Sequence, residues 1–228
     1  MNEAPCFGRY GRKGESAEKD DIMDMKLYDL NDMVKAGCRD CQGCCDCCCG
    51  MGQSIVLDPY DIWQLETNLK ETFAGLLKEK LELHVEEGLI LPNLKMQGVK
   101  ERCGFLNEEG RCGIHAFRPG LCRLFPLGRN YEGGKLRYFL LDKACPNGGT
   151  KVKVRKWLDV PDDTKYADFL IKWHELRRRL QEEMAEKEAS APGIMKEQNM
   201  RFLHIFYEEP YGPEDFYGQF AERLKRGI

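Results

Sequence analysis

Apolar side chains recur at three- and four-residue steps in the last third of the chain, which is the repeat of amphipathic helices. The longest stripe begins beyond Pro161 and extends to about Lys187, and the segment Ala189–Gly193 ends it. Its members are Tyr166, Phe169, Leu170, Trp173, Leu176, Leu180 and Met184. Two further helices are predicted, one around Lys196–Glu208 and one from Pro213. The C-terminal part of the chain is therefore expected to be helical.

Before Pro161 the apolar runs are shorter, and glycine and proline interrupt them. A roughly helical pattern predicts a helix from Asp24 to Lys35 that ends at Gly37. A second helix is predicted to follow Asp58, whose carboxylate suits the N-cap, with Pro59 in the first turn.

The remaining apolar runs predict short strands and one more helix. Ser54–Leu57 is expected to be a strand and Thr72–Leu83 a helix. The segments Leu127–Asn130 and Leu136–Asp142 flank the turn sequence YEGGK and predict a hairpin. Cations alternate with valines over Lys151–Lys156, which is typical of an edge strand. The elements together predict an α+β fold: a small, irregular, cysteine-rich core with hairpins, flanking helices and C-terminal helices.

Composition divides the chain into three predicted segments. Residues 1–22 are rich in charge and glycine and are expected to be a disordered tail. Residues 23–158 hold the cysteine-rich domain, and residues 159–228 form a helical extension expected to pack on it.

Charge is nearly balanced over the 228 residues. Apolar residues make up 42%, enough for a real core, and charged residues make up 32%, yet the net charge is only −3. Because no excess of positive charge is present, neither nucleic acid nor a membrane surface is expected as a partner.

Seven of the twelve cysteines fall within twelve consecutive positions, in the run CRDCQGCCDCCCG. A stretch so poor in apolar side chains cannot order itself by burial, so something must bind the sulfurs together. A thiophilic metal ion or an iron–sulfur cluster is the most economical candidate. The seven are Cys38, Cys41, Cys44, Cys45, Cys47, Cys48 and Cys49.

A disulfide framework is the competing interpretation. It requires an oxidising compartment, but residues 1–20 hold charge and glycine where the apolar core of a signal peptide would lie. No segment approaches the roughly 20 apolar residues of a membrane span. We therefore expect a cytoplasmic protein with reduced thiols, in which CxxC spacings indicate metal binding or redox work.

Of the other five cysteines, Cys6 lies in the predicted tail and is expected to be an incidental thiol. The remaining four are too far apart in sequence to act alone: Cys103, Cys112, Cys122 and Cys145. We expect the hairpins and the short RP segment to bring these four to one face, where they would add four thiolates to four from the cysteine run. Eight thiolates suffice for one mixed site with spare thiols or for two four-coordinate sites. The alternative is that some of these cysteines are small buried apolar residues.

Within the run, the CxxC steps allow two thiolates to meet one metal ion or cluster. Cys44 and Cys45 project in different directions, so one of them is expected to serve a second site or to support the first. The run also contains the spacing of bacterial ferredoxins and the CxxxCxxC of radical enzymes that cleave S-adenosylmethionine. With cysteines at this density such matches arise easily and carry little weight.

The blocks CRDCQGCC, IVLDPYDIWQLE and CGFLNEEGRCGIHAFRPGLCRLFPLG, followed by Cys145, resemble the YkgJ-type cysteine-cluster proteins, which are described as zinc- or iron-chelating domains. The resemblance covers residues 38–146 and not the C-terminal helices. The triplet Cys47–Cys49 departs from the family pattern and leaves extra ligation or ligand exchange open, and His115 stands where tyrosine is more usual. The resemblance implies these ligands: Cys38, Cys41, Cys44, Cys45, Cys103, Cys112, Cys122 and Cys145.

Flagellin lysine N-methylases carry a similar cluster, so the resemblance also implies an alternative function as a protein lysine N-methyltransferase. The chain has no glycine-rich loop of the kind that holds S-adenosylmethionine and no Ser/His/Asp set. Enzymatic activity is therefore left open. A third hypothesis is a metal-handling module that passes an ion to a protein client.

Zinc and iron–sulfur clusters both accept four thiolates. Crowded thiols beside glycines, and the likeness to the methylase clusters, favour an iron–sulfur cluster such as [4Fe–4S] over zinc. Asp61, Arg118 and Arg123 are candidates for hydrogen bonds around the ligands, with a purely structural role as the alternative for each.

Overall fold

A computed structural model describes residues 26–37, 44–141, 144–145, 149–187 and 192–226. The predicted tail, together with Cys38 and Cys41, lies outside the described residues. The strands are β1 (Leu27–Tyr28), β2 (Met33–Gly37), β3 (Leu81–Glu86), β4 (Leu89–Leu94), β5 (Met96–Gln97), β6 (Arg102–Cys103), β7 (Leu127–Glu132), β8 (Lys135–Leu140) and β9 (Thr150–Lys153). The α-helices are α1 (Pro59–Leu69), α2 (Phe73–Glu79), α3 (Gly120–Leu124), α4 (Val154–Leu158), α5 (Asp163–Lys187), α6 (Pro192–Leu203) and α7 (Phe216–Leu224).

The α+β class is confirmed. Within the described residues the strands form small antiparallel sheets, in the orders β1-β8-β7, β2-β9, β3-β4 and β5-β6. Most of the helical residues follow β9, as the apolar stripe predicts.

The predicted helix from Asp24 to Lys35 is wrong, because the described part of this segment forms β1 and β2. Val34 and Ala36 are fully buried at alternate positions, and Val34 pairs with Val152 of β9. A short segment with a weak helical pattern does not form a stable helix by itself. Pairing with a distant strand and burial of alternate residues therefore favour a strand here.

Helix α1 begins as predicted. Its N-cap is a capping box, in which the Asp58 carboxylate accepts from the Asp61 N–H at 2.9 Å and the Asp61 carboxylate accepts from the Asp58 N–H at 3.1 Å. Pro59 occupies the first turn, where no backbone donor is needed. The predicted strand Ser54–Leu57 is reduced to one isolated bridge between Val56 and Asn93.

Two other boundaries differ from the prediction. The predicted helix Thr72–Leu83 stops at Glu79, because Leu81 starts a six-residue ladder with β4. Lys151–Lys156 divides into β9 and the start of α4. The hairpin β7–β8 is confirmed, and the turn residues Gly133 and Gly134 both have positive φ.

At the C-terminus α5 is confirmed in full, and α6 continues into a π-helical turn at His204–Glu208. The last helix starts at Phe216, later than predicted, with the Asp215 side chain accepting from the Gly218 N–H. No helix among the described residues combines the length and the apolar character needed to cross a membrane.

The chain divides into two compact units. The first contains the residues up to Gly52, Met96–Gly113 and Leu121–Ile171, and the second contains Gln53–Lys95, Ile114–Gly120 and Lys172–Ile228. The boundary between a cysteine domain at residues 23–158 and a helical extension at 159–228 stays a prediction.

Each unit has its own apolar core. In the first unit the core is formed by Val34, Ala36, Leu124, Leu127, Tyr138, Val154 and Leu158. In the second unit the Trp173 ring stacks on Phe202 at a centroid distance of 5.5 Å and meets Phe206 edge-on at 5.3 Å. The buried Tyr207 hydroxyl donates to the Leu57 carbonyl at 2.9 Å, which ties the helical segment to the start of α1.

Candidate metal centre

All nine described cysteines belong to the first compact unit. This unit therefore contains both the described end of the cysteine run and the four widely spaced cysteines. Eight of them are reduced: Cys44, Cys47, Cys48, Cys49, Cys103, Cys112, Cys122 and Cys145.

Cys45 is disulfide-bonded. The expectation that all the thiols are reduced is therefore wrong for this cysteine in the structure. A sulfur in a disulfide is not a thiolate, so Cys45 can ligate a metal only after reduction.

The end of the run folds into a tight 3₁₀ turn at Asp46–Cys48. The Cys48 N–H donates to the Cys45 carbonyl at 2.8 Å, and the Cys49 N–H donates to the Asp46 carbonyl at 3.3 Å. Gly50 follows with φ +68, a conformation that favours glycine and turns the chain out of the run. The sequence predicts a loop here, and the structure orders its end by these backbone hydrogen bonds and by the burial of Cys45 and Cys49.

Beyond the turn the run joins strand β6. Cys49 forms an antiparallel bridge with Arg102, and the Gly50 N–H donates to the Glu101 carbonyl at 2.9 Å. Arg102 directly precedes Cys103 in β6. This pairing places the end of the run beside the first of the widely spaced cysteines.

Cys103 and Cys112 flank a short turn. The Asn107 side chain accepts from the Arg111 N–H at 2.7 Å, and an isolated bridge joins Leu106 to Cys112. A Cβ placed on Gly110, in the same turn, would lie 4.0 Å from the Cys45 sulfur. The turn at Asn107–Gly110 thus lies against the cysteine run.

Electrostatics link Cys48 to the more distant cysteines. The pKa of the Cys48 thiol is raised, first by a hydrogen bond with the Cys47 side chain and then by burial. Charges on the Cys122 and Cys103 thiols raise the pKa of Cys48 further. Cys122 lies on the short helix α3. The pKa of Cys48 in the run therefore depends on the charges of thiols in β6 and α3.

Cys103 and Cys49 are buried, and burial is the main cause that raises the pKa of each. For Cys103, a hydrogen bond from the Phe105 backbone lowers the pKa, while Cys112 raises it. For Cys49, the Arg102 guanidinium lowers the pKa. These thiols therefore stay protonated unless a cation compensates the charge of the thiolates.

The donor set fits a thiophilic metal, although the described residues alone do not complete a site. Within the part of the chain that the structure describes, no group of three or more His, Cys, Asp or Glu side chains is arranged to hold a metal ion. Two of the eight predicted ligands, Cys38 and Cys41, lie outside it. Soft, partly buried sulfurs that repel one another as anions are the ligands that zinc and iron–sulfur clusters prefer.

The three predicted supporting residues have well-defined partners. The buried Asp61 carboxylate accepts from the Gly120 N–H at 2.7 Å, at the first residue of the helix that carries Cys122. Arg118 contacts the His115 imidazole at 2.6 Å, and its Nε atom has no hydrogen-bond partner in the described structure. Arg123 donates to the Asp159 carbonyl at 3.0 Å. Their roles around a metal stay predictions.

One residue near the thiols is missing from the sequence prediction. Arg102 faces Cys49 and lowers the pKa of its thiol. Its position directly before Cys103 is the only signal in the sequence, and the pairing that brings it to Cys49 arises from the fold.

The comparisons with known proteins agree with the chemistry of the thiols. Residues 38–146 match the model of a family named CxxCxxCC and described as "Putative zinc- or iron-chelating domain". Neither the curated proteins nor the solved structures contain a match to this chain. The resemblance noted in the sequence is thus confirmed: residues 38–146, a little under half of the chain, match this family model.

Proposed function

We propose that this protein holds a thiolate-ligated metal centre and that the centre orders the cysteine-rich part of the chain. The proposed ligands are drawn from Cys38, Cys41, Cys44, Cys45, Cys103, Cys112, Cys122 and Cys145. The family match supports metal binding in general, and the structure supports the choice of residues by gathering the described cysteines into one compact unit.

The observation that carries the proposal is the junction of the run with β6. Cys49 pairs with Arg102, and the thiols of Cys48 and Cys103 interact. These cysteines are more than fifty positions apart in sequence. Burial and the negative charge of neighbouring thiolates oppose the ionisation of these thiols. A cation that replaces their protons removes this repulsion, so its binding stabilises the fold that brings the thiols together.

An iron–sulfur cluster is our preferred occupant, with zinc as the alternative. Both are consistent with a sulfur donor set, and crowded thiols beside glycines favour the cluster. A reducing compartment such as the cytoplasm suits eight reduced cysteines and supplies the reductant that Cys45 requires.

Anaerobic purification followed by metal analysis, acid-labile sulfide analysis and visible absorption tests the proposal. An iron–sulfur cluster predicts iron and sulfide in near-equal amounts with a broad visible absorption, whereas zinc predicts a colourless protein without sulfide. A folded chain that contains no metal and no sulfide would overturn the proposal.

A methyltransferase-like enzyme is the second candidate, and only the likeness of the cluster to that of flagellin lysine N-methylases favours it. Isothermal titration with S-adenosylmethionine tests it on the metal-loaded protein. Binding heat would support an enzyme, and no detectable heat would leave the metal centre as the function.

A further inference from the structure

The two edges of the hairpin β3–β4 have different surroundings. On the edge of β4, the Leu57 N–H donates to the Pro92 carbonyl at 2.8 Å. Further along the same edge, the Asn199 side chain of α6 accepts from the Ile90 N–H at 2.7 Å. The edge of β4 is therefore covered by α6 and by the segment that precedes α1.

The edge of β3 is open. The Lys95 N–H donates to the Lys80 carbonyl at 2.9 Å, in continuation of the β3–β4 ladder. Because peptide groups alternate in direction along an antiparallel strand, those of Leu83 and Val85 point away from β4. Within the part of the chain that the structure describes, no hydrogen bond reaches the N–H and C=O groups of these two residues. These groups are therefore available to pair with another strand.

The side chains at the same two positions are apolar and exposed. The exposed fraction is 41% for Leu83 and 68% for Val85. Both side chains lie on one face of β3, because successive side chains of a strand point to opposite faces. The strand LELHVE contains no lysine and no proline, and its ladder with β4 runs through all six residues without a bulge. The devices that usually protect an exposed edge are thus absent from β3.

The other face of β3 contains two carboxylates and one imidazole. The Asn93 amide donates to the Glu82 carboxylate at 3.0 Å, and its Oδ1 atom lies 2.8 Å from the His84 Nδ1 atom. The Glu86 carboxylate accepts from the Arg177 guanidinium at 2.8 Å. Hydrogen bonds therefore fix an alternating row of acid, imidazole and acid along the open edge.

A second copy of β3 is complementary to this row. When two copies pair antiparallel about a two-fold axis at Leu83, each Glu82 lies opposite His84 of the second copy. Each Val85 then lies opposite Leu81 of the second copy, so apolar residues meet on the other face. The residues that carry the open peptide groups form the hydrogen-bonded pairs of this ladder. One register thus satisfies the backbone, the polar face and the apolar face together.

Other registers of the same pairing are less favourable. An axis at Glu82 or at His84 places carboxylates opposite each other, in the second case Glu82 opposite Glu86 of the second copy. Like charges directly opposite one another destabilise a sheet. An axis at Leu81 or at Val85 shortens the ladder, because it lies next to an end of the strand. The charges therefore select the first register.

We propose that the edge of β3 is a homodimer interface, in which the β3 strands of two copies pair antiparallel about Leu83 and the two hairpins form one continuous sheet. The inference concerns the second compact unit and does not depend on the proposed metal centre. Because each copy contributes one strand, the interface is small and the dimer is expected to be weak.

Sedimentation equilibrium of the full-length chain, purified without oxygen and kept reduced, measures the dimer. The test variant Val85→Lys places an ammonium group on the open edge. The matched control is Val99→Lys, the same substitution at an exposed valine of the first compact unit. Circular dichroism of each variant checks that the secondary structure is kept, and metal analysis of each sample reports on the proposed function separately.

The parent chain is expected to dimerise with a Kd below about 1 mM. Val85→Lys is expected to weaken the dimer by at least about tenfold, because the two-fold axis places the new charge in two cross-strand pairs. Val99→Lys is expected to dimerise as the parent does. A parent chain that stays monomeric at this concentration, an unchanged Kd in Val85→Lys, or an equal weakening in Val99→Lys would each overturn the inference.

Amide hydrogen exchange of the parent chain gives a second measurement that requires no variant. The N–H groups of Leu83 and Val85 are expected to exchange more slowly at high protein concentration than at low concentration, because pairing occupies them. A dimer that leaves the exchange of Leu81–Glu86 unchanged uses another surface, and that result would also overturn the inference.

Discussion

At the scale of single residues, buried polar groups hold the described structure together outside the cysteines. Arg223 is 4% exposed and donates to the carbonyls of Ile205 at 2.7 Å, Glu209 at 2.7 Å and Pro210 at 2.9 Å. Its guanidinium also lies 3.5 Å from the centre of the Tyr211 ring. One side chain thus satisfies the carbonyls that the π-helical turn and the following segment leave without helical partners.

We predict that Arg223→Met lowers the free energy of unfolding by about 3 kcal/mol, because three buried carbonyls lose their donor. Urea denaturation measures this change. Arg178→Met is the matched control, since the Arg178–Glu182 pair is exposed and worth roughly 0.5 kcal/mol. Equal losses in the two variants would contradict the structural role of Arg223.

His174 gives the fold a dependence on pH. Burial lowers its pKa, and the nearby Arg177 and Arg178 lower it further. The unfolded chain takes up a proton at this residue near pH 6.5, whereas the folded chain resists protonation until a lower pH. Stability is therefore expected to fall as the pH decreases below about 6.5.

We predict that His174→Gln makes the unfolding free energy less sensitive to pH between about 7 and 5. Thermal or urea denaturation across this range checks the prediction. Parallel profiles for the variant and the parent chain would show that His174 does not contribute.

At the scale of elements, the tight turns have specific glycine requirements. Gly88, between β3 and β4, has φ +82, and a Cβ there would lie 3.3 Å from the Met184 Cβ. Gly133, between β7 and β8, has φ +58 and open space around the same position. Substitutions at the two glycines therefore distinguish the energetic cost of backbone strain from the cost of a steric contact.

We predict that Gly133→Ala costs about 1 kcal/mol of unfolding free energy through backbone strain alone. Gly88→Ala costs more, because the strain is joined by a close contact with a side chain of α5. Chemical denaturation of both variants gives the difference. A larger loss at Gly133 than at Gly88 would contradict the packing seen around Gly88.

A comparison of the predicted and observed helices and strands shows which of them the sequence predicts. The helix starting at Pro59, the long helix Asp163–Lys187 and the YEGGK hairpin follow from local signals: a cap, a regular apolar stripe and turn glycines. The helix predicted from Asp24 to Lys35 is wrong because this segment pairs with β8 and β9. Both strands lie over a hundred positions away in sequence. Local periodicity contains no information about such pairing.

The candidate metal site also has features that the sequence predicts and features that it does not. Residue type and spacing identify the cysteines and their preference for soft metals, because thiol chemistry is local. The pairing of Cys49 with Arg102 is not predictable, since it depends on the register between the run and β6. For that reason the sequence does not show that the charges of the Cys122 and Cys103 thiols raise the pKa of Cys48 in the fold.

At the scale of the whole molecule, the two compact units are expected to respond differently to loss of metal. The nine described cysteines all lie in the first unit, and the run has few apolar side chains to hold it. The second unit contains the aromatic core around Trp173. Metal binding at the thiols is therefore expected to stabilise the first unit more than the second.

We predict that a strong chelator, under reducing conditions, increases amide hydrogen exchange in Cys44–Gly52 and Met96–Gly113. The hairpin Leu81–Leu94 serves as the internal control and is expected to keep its protection. Mass spectrometry of peptides measures both regions in one sample. Unchanged exchange around the cysteines after complete removal of metal would contradict a structural role for the centre.

The most direct test of the account is X-ray absorption at the metal edge of the chain purified without oxygen. The account predicts a first shell made of sulfur at about 2.3 Å from the metal. A first shell of nitrogen and oxygen, or a chain that retains no metal, would contradict the claim that cysteines from the run and from the distant positions share one centre.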